Sequence, residues 1–400
     1  MCPCPVGSAS FQLSPYWIVA WARRCWKAVR GRLGQIVACA LPLVPLHAQL
    51  RWVRRTPLNS PAPRSGAAMA YDWARGRTVL FGGGSAAGAF SDTWEWDGSN
   101  WNQRIAAPSP RGQSSMAMAY DLVRGRMVLL ETGYAADTWE WDGTTWTLAN
   151  PVNRPPPRSG HALAYDIFRG QVVLFGGFQS AALGDTWTWD GTTWTQQFPA
   201  QSPGPRGDCA IASDLARGVV VLFGGHGATT YSDTWEWDGT TWWQRFPAST
   251  PLHVLDQAMA YDTLRSRCLY LGSWGLGPPP AAEWDGVNWS RCTTAASFPA
   301  RARFALAYDL GRKVMVLFGG LDAAGRELDE TWELPIQIIP ASLTCRDGGG
   351  TSEAPARWAP VHMQSLYDPS KPWPPSRRRG VASATAAMRR QPPSRPTRKT

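Results

Sequence analysis

Between residues 50 and 340 the apolar positions never fall at helical spacing; they come instead as short alternating or continuous runs that return at a fixed period. One unit shows the pattern. His161 to Asp166 alternates and ends on an Asp, and Val172 to Phe175 is apolar without a break, as a strand covered on both faces must be. Thr186-Trp187-Thr188-Trp189 alternates again, and a fourth strand starts at Thr193-Trp194. Asp190-Gly191 between the last two predicts a type I′ hairpin, because that turn needs positive φ at its centre. The pattern predicts an all-β chain of antiparallel strands in groups of four.

The groups repeat. Asp-Thr-Trp-Glu-Trp-Asp-Gly stands at 92–98, 137–143 and 233–239, and at 185–191 with Thr188 in place of Glu. A fourth-strand Trp precedes an Asp by 20 residues in Trp52/Asp72, Trp101/Asp121, Trp146/Asp166, Trp194/Asp214, Trp242/Asp262 and Trp289/Asp309. Repetition of one four-stranded unit is the signature of a β-propeller. The last unit has strands near Phe304 to Asp309, Val314 to Phe318 and Glu330 to Leu334, but no Asp-Gly turn and no fourth-strand Trp directly after them. Residues 50–56, with Trp52 in register, are expected to supply the missing strand and close a ring of six blades over residues 49–340.

The Gly-Gly doublets Gly82-Gly83, Gly176-Gly177, Gly224-Gly225 and Gly319-Gly320, each followed by a downstream Trp, make residues 50–334 resemble kelch repeats of the bacterial exported type. Glu131-Thr132 and Gly272-Ser273 replace the doublet in the second and fifth units. A WD40 array fits less well, since its Gly-His partner stands before a unit's first strand only as Gly160-His161. Sixteen of the 24 tryptophans occupy repeated third- and fourth-strand positions, which assigns them as a class to packing between blades.

The net charge of +10 belongs to the ends. Residues 1–49 hold five bases and no acid, and residues 351–400 hold ten bases and two acids, leaving 25 bases against 28 acids between them. No groove-entering helix or basic-aromatic motif accompanies this, so nucleic acid is not an expected partner. Residues 1–48 read as a leader. Five basic residues from Arg23 to Arg32 precede the apolar run Ile36 to Leu46, and Leu46-His47-Ala48 suits cleavage. The run is short for a membrane span, so no transmembrane segment is expected in the mature chain. The Pro- and Arg-rich tail from 341 to 400 is expected to be disordered, and Ile336-Gln337-Ile338-Ile339 to add at most one strand. Cys209, Cys268, Cys292 and Cys345 are expected to be free thiols, and the scattered histidines suggest no metal or other cofactor.

In such a ring the first-to-second and third-to-fourth turns share one face, and their sequences are uniform. The other face carries connections of unequal length, eleven steps from Phe81 to Asp92 but seven from Leu130 to Asp137, as binding faces do. Candidate ligand residues there fall in two groups. Arg64, Arg158, Arg206 and Arg301 each precede a register Asp by eight residues, and would either ring the channel for an anion or bond a neighbouring blade's carbonyls or acids. Glu131, Tyr134, Phe178, His226, Tyr231 and Trp274 lie in the variable loops. In the two units that break the pattern, Gln113 and Val254 replace the Arg.

No catalytic constellation assembles. The sialidase Asp-box has a residue between Asp and Gly, whereas Asp190 and Gly191 adjoin, and the Tyr, Cys and His that hold copper in galactose oxidase have no counterpart. The expectation is a monomeric, exported scaffold that binds protein or glycan without chemistry. The alternative resembles the sialic-acid mutarotases, six-bladed kelch proteins, with Glu131 and Arg158 or Arg206 as the acid–base pair.

Overall fold

The computed structural model describes residues 51–336 apart from 134–135, 252–255, 273–280 and 293–298; the leader, Tyr134, Val254, Trp274, the Gln337 to Ile339 run, Cys345 and the tail fall outside the described residues. Six four-stranded antiparallel sheets form a ring of blades, a β-propeller. Blade 1 runs Ala68–Asp72, Arg77–Phe81, Thr93–Trp96 and Trp101–Arg104, and blade 3 runs Ala162–Asp166, Gln171–Phe178, Ala182–Trp189 and Trp194–Gln197. Blades 2, 4 and 5 begin at Ala117, Ala210 and Ala258. Blade 6 combines Ala305–Asp309, Val314–Phe318 and Thr331–Pro335 with Val53–Arg55, whose Val53 pairs with Glu333 and Arg55 with Thr331.

Each of the six apolar clusters draws on two adjacent blades, so the core lies between blades rather than inside one. The tryptophans explain this. Trp101, Trp146, Trp194, Trp242 and Trp289 are buried, and each donates its indole N–H to the first Thr of the preceding blade's third strand at 2.8–2.9 Å: Thr331, Thr93, Thr138, Thr186 and Thr234. Burying one indole contributes roughly 4–6 kcal/mol before entropy costs, against about 1 kcal/mol for its hydrogen bond. Burial therefore drives the docking, and the bond fixes its register.

The turn between third and fourth strands differs from the expected type I′. Trp189 pairs with Trp194, which leaves four loop residues rather than two. Gly191 has φ +99°, but Asp190 keeps ordinary backbone and instead accepts the N–H groups of Thr192 and Thr193 on its carboxylate at 2.8 and 2.9 Å. Asp thus folds the turn through its side chain. Gly is required for a second reason, since a Cβ at Gly143 would stand 2.0 Å from the Arg75 guanidinium of the preceding blade.

The first-to-second turn also needs left-handed backbone, supplied by Gly76, Gly125, Gly170 and Gly218 at φ 64–65°, but by Ser266 at 54° and Lys313 at 58° in blades 5 and 6. Left-handed backbone costs a residue with a Cβ about 1–2 kcal/mol. Lys313→Gly is accordingly expected to stabilise the protein by about 1 kcal/mol in urea unfolding; an unchanged or lower midpoint would show that the strain is relieved some other way.

Candidate functional site

The four arginines stand at one register on the variable-loop face, and all are buried, at 1–2% exposure. Arg206 donates to Gly224 O at 3.1 Å and holds both Asp233 carboxylate oxygens, at 2.5 and 3.0 Å, with the Tyr231 ring 3.7 Å below. Arg158 does the same with Gly176 O and Asp185, and Arg64 with Gly82 O and Asp92. Arg301 bonds Gly319 O and Glu330. The side chains therefore clamp their own blade, an arrangement different from both an anion-binding ring and a bond to a neighbouring blade. The neighbour is reached by the main chain: Gly320 N–H donates to Arg64 O and Gly177 N–H to Arg206 O, both at 2.9 Å.

This arrangement settles the charge at that register. Burial alone would raise the Asp92, Asp185 and Asp233 carboxyls, but bonds from the guanidinium and from Trp94, Trp187 and Trp235 outweigh it and hold all three below the usual carboxylate range. Each cation is matched by an anion within hydrogen-bond distance, so the ring of guanidinium groups carries no free positive charge.

Blade 2 is built differently. Gln113 stands for the Arg, and its carbonyl accepts from Thr132 N and Oγ1 at 2.8 and 2.6 Å. Glu131, 2% exposed, accepts from Arg111 N at 2.8 Å. Its carboxyl is raised by burial and by the Asp137 charge, with Arg111 and Trp139 pulling the other way. The two guanidinium groups that an acid–base reading would pair with Glu131, those of Arg158 and Arg206, are bonded to Asp185 and Asp233.

Phe178 and His226 come from adjacent blades and do meet, with ring centroids 4.8 Å apart. They border a set of residues that the sequence did not single out. Two positions after the arginine register the backbone is left-handed in all six blades: Gly66, Ser115, Gly160, Asp208, Asp256 and Arg303, with φ from 51° to 64°. Main-chain bonds link these residues around the ring, Gly66 N–H to Arg303 O, Ser115 N–H to Gly66 O and Asp208 N–H to Gly160 O, at 2.8–2.9 Å. At the first-to-second turn two of six left-handed places carry a side chain, whereas here four do. Each such side chain on left-handed backbone costs about 1–2 kcal/mol.

Three of those side chains form one cluster. Arg303 Nε donates to Asp256 Oδ1 at 3.2 Å, Asp208 Oδ2 lies 3.7 Å from His226 Nδ1, and Gln257 Nε2 donates to Asp208 O at 3.3 Å. Gly160 makes room for them, because a Cβ there would stand 2.6 Å from Asp208 Oδ1. The Asp208 carboxyl is raised by burial and by the Asp256 charge, with His226 and Arg303 pulling the other way. A signal for these residues did exist: Gly66 and Gly160 share the register, and a glycine place filled by Asp or Arg announces strain. Among the described residues no group of His, Cys, Asp and Glu could hold a metal ion.

Fold and mouth together define a six-bladed β-propeller. The solved structure titled "Structure of YjhT" is similar at a TM-score of 0.51 and 13% identity, over 69% of this chain and 95% of that one, a likeness of fold alone. No family model and no curated protein matches the chain.

Proposed function

We propose that the protein is an exported, kelch-type binding propeller that takes a protein or carbohydrate ligand at the mouth of its variable-loop face, without chemistry. The observation that carries this is the register of left-handed residues, where Ser115, Asp208, Asp256 and Arg303 hold polar side chains on backbone that favours glycine. The opposite face supports the contrast, since its turn carboxylates bond their own turns: Asp97 accepts from Ser99 and Asn100, and Asp238 from Thr240 and Thr241.

An isomerase reading would draw on Glu131, whose buried carboxyl is biased toward its neutral form, as a general acid requires. Binding is preferred because Arg158 and Arg206, the guanidinium partners nominated for Glu131, would first have to leave buried ion pairs. A glycan array and a pull-down with the purified chain are expected to yield a ligand, and NMR exchange spectroscopy is expected to show no faster anomer interconversion of any captured sugar. Acceleration that disappears in Glu131→Gln would establish the enzyme instead.

A further inference from the structure

The ligand's charge class can be read from the mouth. Asp208, Asp256 and Arg303 are 33%, 27% and 54% exposed in their side chains, so they are open to a ligand, as is His226 at 34%. Two carboxylates against one guanidinium leave one excess negative charge while the imidazole is neutral. The positive charge that could offset it, on Arg64, Arg158, Arg206 and Arg301, is buried and matched residue by residue. An anionic ligand would meet repulsion here rather than the guanidinium ring that spacing alone suggested.

The chemistry that fits is of another kind. The carboxylates accept hydrogen bonds only, and the guanidinium donates only. Adjacent hydroxyl groups, each donor and acceptor at once, satisfy such a set. The Phe178 and His226 rings, tilted at 39° to each other at the edge of the cluster, offer apolar surface for the C–H side of a pyranose ring. We infer that the ligand is a neutral, polyhydroxylated glycan seated against Asp208, Asp256, Arg303 and the Phe178–His226 ring pair, an inference that rests on the binding reading above. The raised Asp208 carboxyl agrees with it, since burial and the Asp256 charge outweigh the pull of His226 and Arg303 and favour a neighbour that brings hydroxyl protons.

The test uses the full chain with cellobiose, lactose and maltose as neutral probes and N-acetylneuraminic and galacturonic acids as anionic ones, by saturation-transfer NMR and calorimetry. At least one neutral probe is expected to bind and neither acid to do so. Asp208→Asn/Asp256→Asn, which leaves Arg303 as the only charge, is expected to weaken neutral binding at least tenfold and to let an acidic sugar bind. Asn tolerates left-handed backbone, so the double variant keeps the fold. Asp208→Gly is expected to lose neutral binding equally while melting at or above the wild-type temperature, because its strain is relieved. Preference of the wild type for an acid, neutral binding unmoved in the double variant, or no neutral probe bound would each overturn the inference. A protein ligand captured in the pull-down with no sugar bound would overturn it and leave the binding reading standing; no ligand of either kind would overturn both.

Discussion

Trp52→Ala is expected to cost about 3–5 kcal/mol, and removal of everything before Pro57 to abolish the cooperative unfolding transition. Trp52 is 3% exposed and packs in the cluster shared by blades 5 and 6. The segment that follows it is the fourth strand of blade 6, paired from Val53↔Glu333 to Arg55↔Thr331, with Arg55 Nε on Glu333 at 2.7 Å. Without it the strand Thr331–Pro335 becomes an edge with an unpaired row of N–H and C=O groups, which invites association between chains. Circular dichroism against urea, with light scattering for aggregates, reads both effects. A shortened chain that unfolds as sharply as the parent would mean that three blade-6 strands suffice and that the N-terminal strand is an accessory.

Asp233→Ala and Asp137→Ala are expected to differ sharply although both replace the first residue of the same repeated heptapeptide. The first strands the Arg206 guanidinium, 1% exposed, and should cost about 3 kcal/mol. The second removes only an exposed contact with Arg154 at 3.2 Å, in the blade where Gln113 stands for Arg, and should cost less than about 1 kcal/mol. Removing the Asp137 charge also eases Glu131, whose carboxyl it helps to raise. The same clamps set an acid limit. Because the folded Asp92, Asp185 and Asp233 carboxyls are lowered, their stabilisation is complete above the unfolded carboxyl's value near pH 4 and disappears as the pH falls through the lower folded values. Equal costs for the two substitutions would show that the clamp contributes nothing to stability.

What was legible in the sequence follows from distance along the chain. Strand alternation and the Trp-to-Asp spacing are local, and they foretold every blade, down to Val53–Arg55 beside Thr331–Pro335. The turn was misread because Asp-Gly signals a two-residue loop, while the paired tryptophans Trp96 and Trp101 stand five apart and let Asp97 cap a longer one. The arginine partners were out of reach: Asp92 lies 28 residues beyond Arg64, and only the folded blade brings it to the Gly82 carbonyl. The mouth was the hardest part. Gly66, Ser115, Gly160, Asp208, Asp256 and Arg303 share a sign of φ rather than a chemistry, and two glycines at that register were the one trace of it in the sequence.

The pairing of Val53 with Glu333 carries a topological consequence. Trp52 and Leu334 occupy in blade 6 the places that Trp101 and Trp96 occupy in blade 1, and blade 1 joins those places with the four residues Asp97 to Asn100. A linker of that length and type would turn the propeller into a covalent circle without moving a strand. The circuit of strands from Trp52 to Leu334 is thus one hairpin short of closing on itself, and once closed it could be opened at any of the equivalent turns of the uniform face to give a permuted sequence for the same ring.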